Sequence, residues 1–162
     1  MYPLFSREYY AYYEKDGRQD FAVKKGDSMA FSRRKEREIV YQMLFASQFY
    51  PEEETPGLYD VMIAQMEEGA QESAYIKETF FGARAYASEA MAKIESAAKD
   101  WKLSRLSKGT VAVLCLAIFE MDQSESVPEK IAINEAVELA KRFCEDGAAK
   151  FVNGILGSLS GK

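Results

Sequence analysis

Four cations within five positions, Arg33, Arg34, Lys35 and Arg37, follow Ser32 and are the residues of this sequence best suited to a chemical task. Guanidinium groups hold phosphates in paired fashion and stack on unpaired bases, which is what contacts to single-stranded RNA require. On an α-helix, at roughly 100° per residue, Arg33, Arg34 and Arg37 project within a sector of roughly 100° and away from Ile39 and Met43, so the spacing predicts a surface patch. A solvated helix end, with Arg34 facing Glu38 four residues on, accounts for the same residues without any ligand. Cations in a first helical turn oppose the macrodipole by about a few tenths of a kcal/mol each, and an anion is expected to compensate them.

Other chemistries find little support. The sequence has no histidine, which removes the commonest general base and the commonest zinc ligand. Cys115 lies in an apolar run and Cys144 at a helix end, with no C-x-x-C pair, so both read as structural thiols. Glu52, Glu53 and Glu54 read as a loop and Glu135 with Glu138 as a solvated helix face, not as paired acid/base carboxylates. Neither G-x-x-x-x-G-K-[ST] nor G-x-G-x-x-G occurs. The expectation is a protein that is not an enzyme and uses no metal and no cofactor.

The 162 residues suit one domain with a real core. Net charge is -5, but residues 51–76 hold seven acids and no Lys or Arg, which leaves the rest at +2. A polyanion responds to the local sign. No apolar run approaches the ~18 residues that span a bilayer, and the N-terminus lacks a signal-like core, so a soluble, cytoplasmic protein with no membrane partner is expected.

The elements that must position these residues read as helices. From Arg33 to Tyr50, apolar Ile39, Met43, Ala46 and Tyr50 recur at i, i+4, i+7 and i+11, and Pro51 ends the pattern. A second helix is expected after Pro56-Gly57, broken by Gly69. Residues 73–100 predict one long helix or two joined near Gly82, and Trp101 to Leu106 a short amphipathic piece. Val111 to Phe119 is apolar on all sides and predicts a buried central helix. Pro128 suits the first turn of the next helix, where Ile133, Ala136, Val137, Ala140, Phe143 and Cys144 share one face and leave Glu135 and Glu138 outside. Gly147 predicts a left-handed stop, followed by a last helix striped by Phe151, Val152, Ile155, Leu156 and Leu159. Within it Gly154 costs about 1 kcal/mol against alanine, which points to close approach of another backbone.

AINEAVELAKRF followed by KFVNGIL resembles the C-terminal signature of the transcription antitermination factor NusB family. The resemblance extends over roughly Ser32 to Leu159 through Trp101 to Leu106, Ile118-Phe119-Glu120 and the basic opening. It implies an all-α fold, a compact bundle of about six or seven helices over residues 29–162 with Thr110 to Met121 as its axis. Residues 1–28, rich in tyrosine and neutral, are an irregular N-terminal extension or a mis-assigned start, Met29 being the alternative; an aromatic arm that docks on the body or a partner is the competing reading.

The resemblance further implies binding of boxA-type single-stranded RNA together with NusE, the ribosomal protein that doubles as an antitermination factor. The pair is loaded onto the RNA polymerase antitermination complex to suppress premature termination of ribosomal RNA transcription. It assigns RNA contacts to Arg33, Arg34, Lys35 and Arg37 and, at the start of the last helix, to Lys150 and Phe151. Phe151 also reads as core. Phe45 projects about 200° from Met43, near Tyr41; the resemblance makes Phe45 the NusE contact, with Tyr41 beside it. A homodimer of the free chain is compatible with all this. Two departures stand out: Cys115 follows Leu114 where many family members carry arginine, and the turn 144–149 is less basic than a firm RNA grip suggests. A helical protein-protein adaptor without RNA binding is the alternative reading.

Overall fold

The computed structural model describes residues 23–25, 28–100 and 102–161. Most of the 1–28 extension, its tyrosines included, lies outside the described residues, and so does Trp101. Val23–Lys25 (β1) and Ser28–Ala30 (β2) pair antiparallel, with Val23 opposite Ala30, where the sequence shows no strand period.

From Arg33 onward the described chain is all-α, with helices α1 Arg33–Ser47, α2 Thr55–Ala64, α3 Ala74–Ala85, α4 Ala87–Ala97, α5 Lys108–Gln123, α6 Glu129–Phe143 and α7 Ala148–Leu159. Single 3-10 turns at Glu52–Glu54, Ala70–Glu72 and Leu103–Arg105 fill the connections. The expected axis is present. α5 is buried without interruption from Ala112 to Ile118 and packs against α1, α3, α4, α6 and α7. Burying each of its larger apolar side chains, such as Leu114, Leu116 and Ile118, contributes about 1.5–3 kcal/mol.

α1 departs from the expected amphipathic pattern. Ser32 caps it by accepting from the Lys35 N–H at 3.1 Å, and every residue from Arg37 to Leu44 is then buried. The helix is enclosed by α2, α3 and α5, and its Tyr41 stacks on Phe143 of α6 at 5.2 Å between ring centroids. A helix surrounded in this way has no solvent face along its middle.

α6 and α7 form a hairpin whose turn passes through Gly147 at φ +88°, a left-handed conformation that costs glycine little and other residues more. The buried stripe of α6 falls on Ala132, Ala136, Leu139 and Ala140, with Ile133, Val137 and Phe143 at its edges.

Residues 74–97 form two helices, as one of the expected alternatives has it, but the break is at Tyr86 and not near Gly82. Gly82 lies inside α3 because α5 passes close to it: a Cβ there would sit 2.3 Å from Cζ of Phe119. The Phe119 ring is held edge-on to Tyr86, at 6.4 Å, and cannot fold away like a flexible chain. Gly82→Ala is therefore expected to lower stability by about 1–2 kcal/mol despite the gain in helix propensity. Thermal unfolding checks this; a raised melting temperature would mean that propensity, not packing, governs the position.

Candidate nucleic-acid and partner surface

The N-terminal turns of α1 present the basic opening, and the folded chain answers each of its cations with a carboxylate. Arg33 Nη1 is 3.2 Å from Glu36 Oε2, and its Cζ lies 4.0 Å over the ring of Tyr75 in the first turn of α3. Arg34 grips Glu135 of α6 with two hydrogen bonds, Nε to Oε2 at 3.1 Å and Nη2 to Oε1 at 2.9 Å. Lys35 Nζ is 2.8 Å from Glu67 Oε1 in the loop after α2 and 3.8 Å from Glu38 Oε1. The anion that the macrodipole argument demands is thus intramolecular. Arg33, Arg34, Lys35, Arg37 and Arg142 face Glu36, Glu38, Glu67, Glu120 and Glu135, five charges of each sign.

Arg37 does not belong to the exposed patch. Its side chain is 4% exposed and donates from Nε and Nη2 to Glu120 of α5 at 2.7 and 2.9 Å, with Glu135 3.8 Å from Nη1. Burial alone would lower the pKa of the guanidinium; its hydrogen bonds and charge pairing with Glu120 outweigh that and hold it above the ordinary value. The patch prediction fails here because the wheel turns Arg37 away from Ile39 and Met43 but not away from α5. The Arg34–Glu38 pairing is not formed either. Glu38 is 1% exposed and accepts from Arg142 Nη1 at 2.6 Å, while Glu135 faces inward toward two arginines.

Arg33 and Arg34 are the cations of this group that reach solvent, their side chains 53% and 63% exposed. Pairs this exposed contribute about 0–1 kcal/mol, so a phosphate can replace the carboxylate at little cost. Lys35 is mostly covered.

A mixed-charge surface lies at the α6–α7 turn, where Lys99, Arg105 and Lys150 are matched by Asp100, Glu145 and Asp146. An open groove of about 820 Å³ runs between the end of α4, the Leu103–Arg105 turn and the start of α7, with Lys99, Arg105, Lys150 and Phe151 in its lining. Lys150 is exposed in the first turn of α7, where the helix N-terminus also favours anions. Phe151 is half-buried against the core and so serves both readings of it. Glu145, on the same rim, accepts from Ser107 Oγ at 2.9 Å and Thr110 Oγ1 at 3.1 Å. Burial works against its charged form, but these bonds and one from its own backbone hold the carboxyl below its usual value. Gly154 also lines the groove, and among the described residues a Cβ there would meet nothing within 4 Å. The lining of this groove does not include the α1 cations.

The aromatic surface lies at the other end of α1. Tyr41 is buried, its ring stacked on Phe143, so it is not available to a partner. Phe45 is half-buried and meets Phe49 edge-to-face at 5.6 Å. Phe49 is the residue that sequence reasoning missed: it is 61% exposed, and Lys108 Nζ at the start of α5 stands 5.1 Å over its ring. Its spacing of four from Phe45, just before Pro51, was the available signal.

The sequence model of the NusB family matches residues 34–160. The chain belongs to the NusB family. The transcription antitermination protein NusB of Limosilactobacillus fermentum is 39% identical over 136 residues, spanning 82% of this chain and 96% of the relative. That of Clostridium botulinum is 33% identical over 139 residues, spanning 79% and 99%. Among solved structures, T. maritima NusB superposes with a TM-score of 0.69 at 29% identity over 79% of this chain and 89% of that one. A crystal structure of the antitermination factors NusB and NusE in complex with dsRNA has the same fold, with a TM-score of 0.65 at 21% identity over 78% and 94%.

Cys115, where the resemblance leads to an expectation of arginine, is buried. Burial pushes its thiol up to about 11, with the Arg84 guanidinium pulling the other way. Arg84 reaches across from α3, donates from Nη2 to Thr55 Oγ1 at 3.3 Å, and has a buried Nε without a hydrogen-bond partner among the described residues. A neutral, enclosed thiol of this kind is unreactive at physiological pH.

Proposed function

We propose that this chain is a cytoplasmic transcription antitermination factor that binds boxA-type single-stranded RNA together with NusE and suppresses premature termination of ribosomal RNA transcription. It works by placing surfaces on the RNA polymerase antitermination complex and not by bond chemistry. Family membership supports the role, and the relatives bear the name of antitermination proteins. Among the described residues no helix is long and apolar enough to cross a membrane.

The observation that carries the RNA reading is the pair of exposed guanidinium groups on the first turn of α1. Arg33 and Arg34 exchange Glu36 and Glu135 for RNA phosphates, and Lys150 with Phe151 provides the second contact at the α7 turn. Arg37 holds the helix that carries them. Phe45 and Phe49 form the NusE surface.

The double variant Arg33→Ala/Arg34→Ala is expected to lose RNA affinity by about a hundredfold or more and to keep its fold. The slope of log affinity against log salt should flatten by about 1.4, or about 0.7 for each single-strand phosphate contact removed. An unchanged slope would take both residues out of the mechanism. The charge balance at this end favours a second reading, a helical adaptor with no RNA role, for which neither protein would retain RNA at low salt.

A further inference from the structure

Arg33 is held in an unusual way for an exposed cation. Glu36 takes one edge of its guanidinium at 3.2 Å, while the carbon at its centre lies 4.0 Å over the Tyr75 ring. Tyr75 is itself fixed. It follows Ser73, the N-cap of α3, whose Oγ accepts from the Ile76 N–H at 3.1 Å and donates to Glu36 Oε1 at 2.9 Å. One carboxylate thus ties the first turn of α1 to the first turn of α3.

The far end of Tyr75 is buried. Its hydroxyl lies against the Glu120 carboxylate without a hydrogen bond of good geometry, and Arg37 Cζ is 5.9 Å from its ring centre. Burial pushes this hydroxyl well above its usual pKa, so the ring stays neutral. The side chain is a plate wedged between the buried Arg37–Glu120 pair and the exposed Arg33.

A guanidinium lying on an aromatic face spends none of its N–H donors there, and the Arg33 side chain, 53% exposed, keeps surface open to solvent on the side away from the ring. Unpaired RNA bases stack on such planes, and stacking of this kind tolerates any base. Lysine at position 33 would carry the same charge and offer no plane.

We propose that Tyr75 is a positioning residue of the RNA surface: it backs Arg33 so that the outer face of the guanidinium takes an unpaired base, giving a base–Arg33–Tyr75 stack. This rests on the RNA-binding reading above. Tyr75 adds no charge and makes no phosphate contact, so its contribution is independent of salt.

The test measures binding of a boxA-type single-stranded oligoribonucleotide to the full chain across a salt series. Tyr75→Leu and Arg33→Lys should each lose about tenfold in affinity with an unchanged salt slope, in the range of one base stack. Tyr75→Phe should bind like the wild type, because it keeps the ring that backs Arg33 and loses only a buried hydroxyl. In an Arg33→Ala background Tyr75→Leu should cost nothing further, since the two act as one unit. Additive losses, or wild-type affinity in both Tyr75→Leu and Arg33→Lys, would overturn the stack while leaving the RNA reading in place. If Tyr75→Leu fails to fold, Arg33→Lys decides: an unchanged affinity overturns the proposal. Wild-type protein that retains no RNA at low salt would remove both the stack and the reading beneath it.

Discussion

Arg37→Ala is expected to lower the free energy of unfolding by about 3–5 kcal/mol, because it leaves a buried carboxylate without its counter-ion. Glu120 is 1% exposed, both its oxygens accept from Arg37, and no other ion pair reaches it among the described residues. Glu135, 3.8 Å from Arg37 Nη1, would lose part of its compensation as well. For a chain of this size the melting temperature should fall by on the order of 10 °C. The paired change Arg37→Met/Glu120→Leu removes both charges and should cost far less, since apolar replacement of a whole buried pair is often neutral. If Arg37→Ala melted like the wild type and lost RNA binding, Arg37 would be a surface ligand and the packing of α1 on α5 would be misassigned.

The next largest effect is expected at the aromatic end of α1. Phe49→Ala should leave thermal stability nearly unchanged, because the ring is mostly in solvent, yet weaken NusE binding by about thirtyfold, the cost of a central aromatic anchor worth ~2 kcal/mol. Phe45→Ala should weaken NusE similarly and also destabilise the free chain by about 1–2 kcal/mol, since Phe45 is half-buried against the core. In both variants binding of RNA alone should persist, while its strengthening by NusE is lost, because that coupling needs both ligands on one protein. Phe49→Ala with wild-type NusE affinity would move the partner surface elsewhere.

These two predictions mark where sequence reasoning reached and where it stopped. The α6–α7 hairpin was legible because its apolar residues keep a helical period and Gly147 ends the first helix; α5 was legible because nothing polar interrupts Val111 to Phe119. The roles of Arg37 and Tyr41 were not. A helical wheel assumes one buried side, whereas α1 is enclosed by α2, α3 and α5 with Phe143 of α6 closing on Tyr41, so a residue turned away from Ile39 still meets protein.

The partners of the arginines were also out of reach. Glu120 is 83 positions from Arg37 and Glu135 101 from Arg34, and no local spacing signals such pairs. Arg33 and Arg34 were placed correctly as exposed cations; Arg33 pairs locally with Glu36 three residues on, but the neutralisation of Arg34 by Glu135 follows only from the placement of α6 beside the start of α1. Gly154 misled for the opposite reason: its cost in helix propensity suggested a neighbour, and the residue faces an open groove.

The neutralised arginines make one measurement decisive for the central claim, that this fold carries RNA and NusE together. Titrating the wild-type chain into labelled boxA-type RNA at low salt, with and without NusE, reads both ligands at once. The account predicts RNA retention by the chain alone, a linear loss of affinity as salt rises, and tighter binding when NusE is present. No retention at low salt, or an affinity that NusE leaves unchanged, would contradict it.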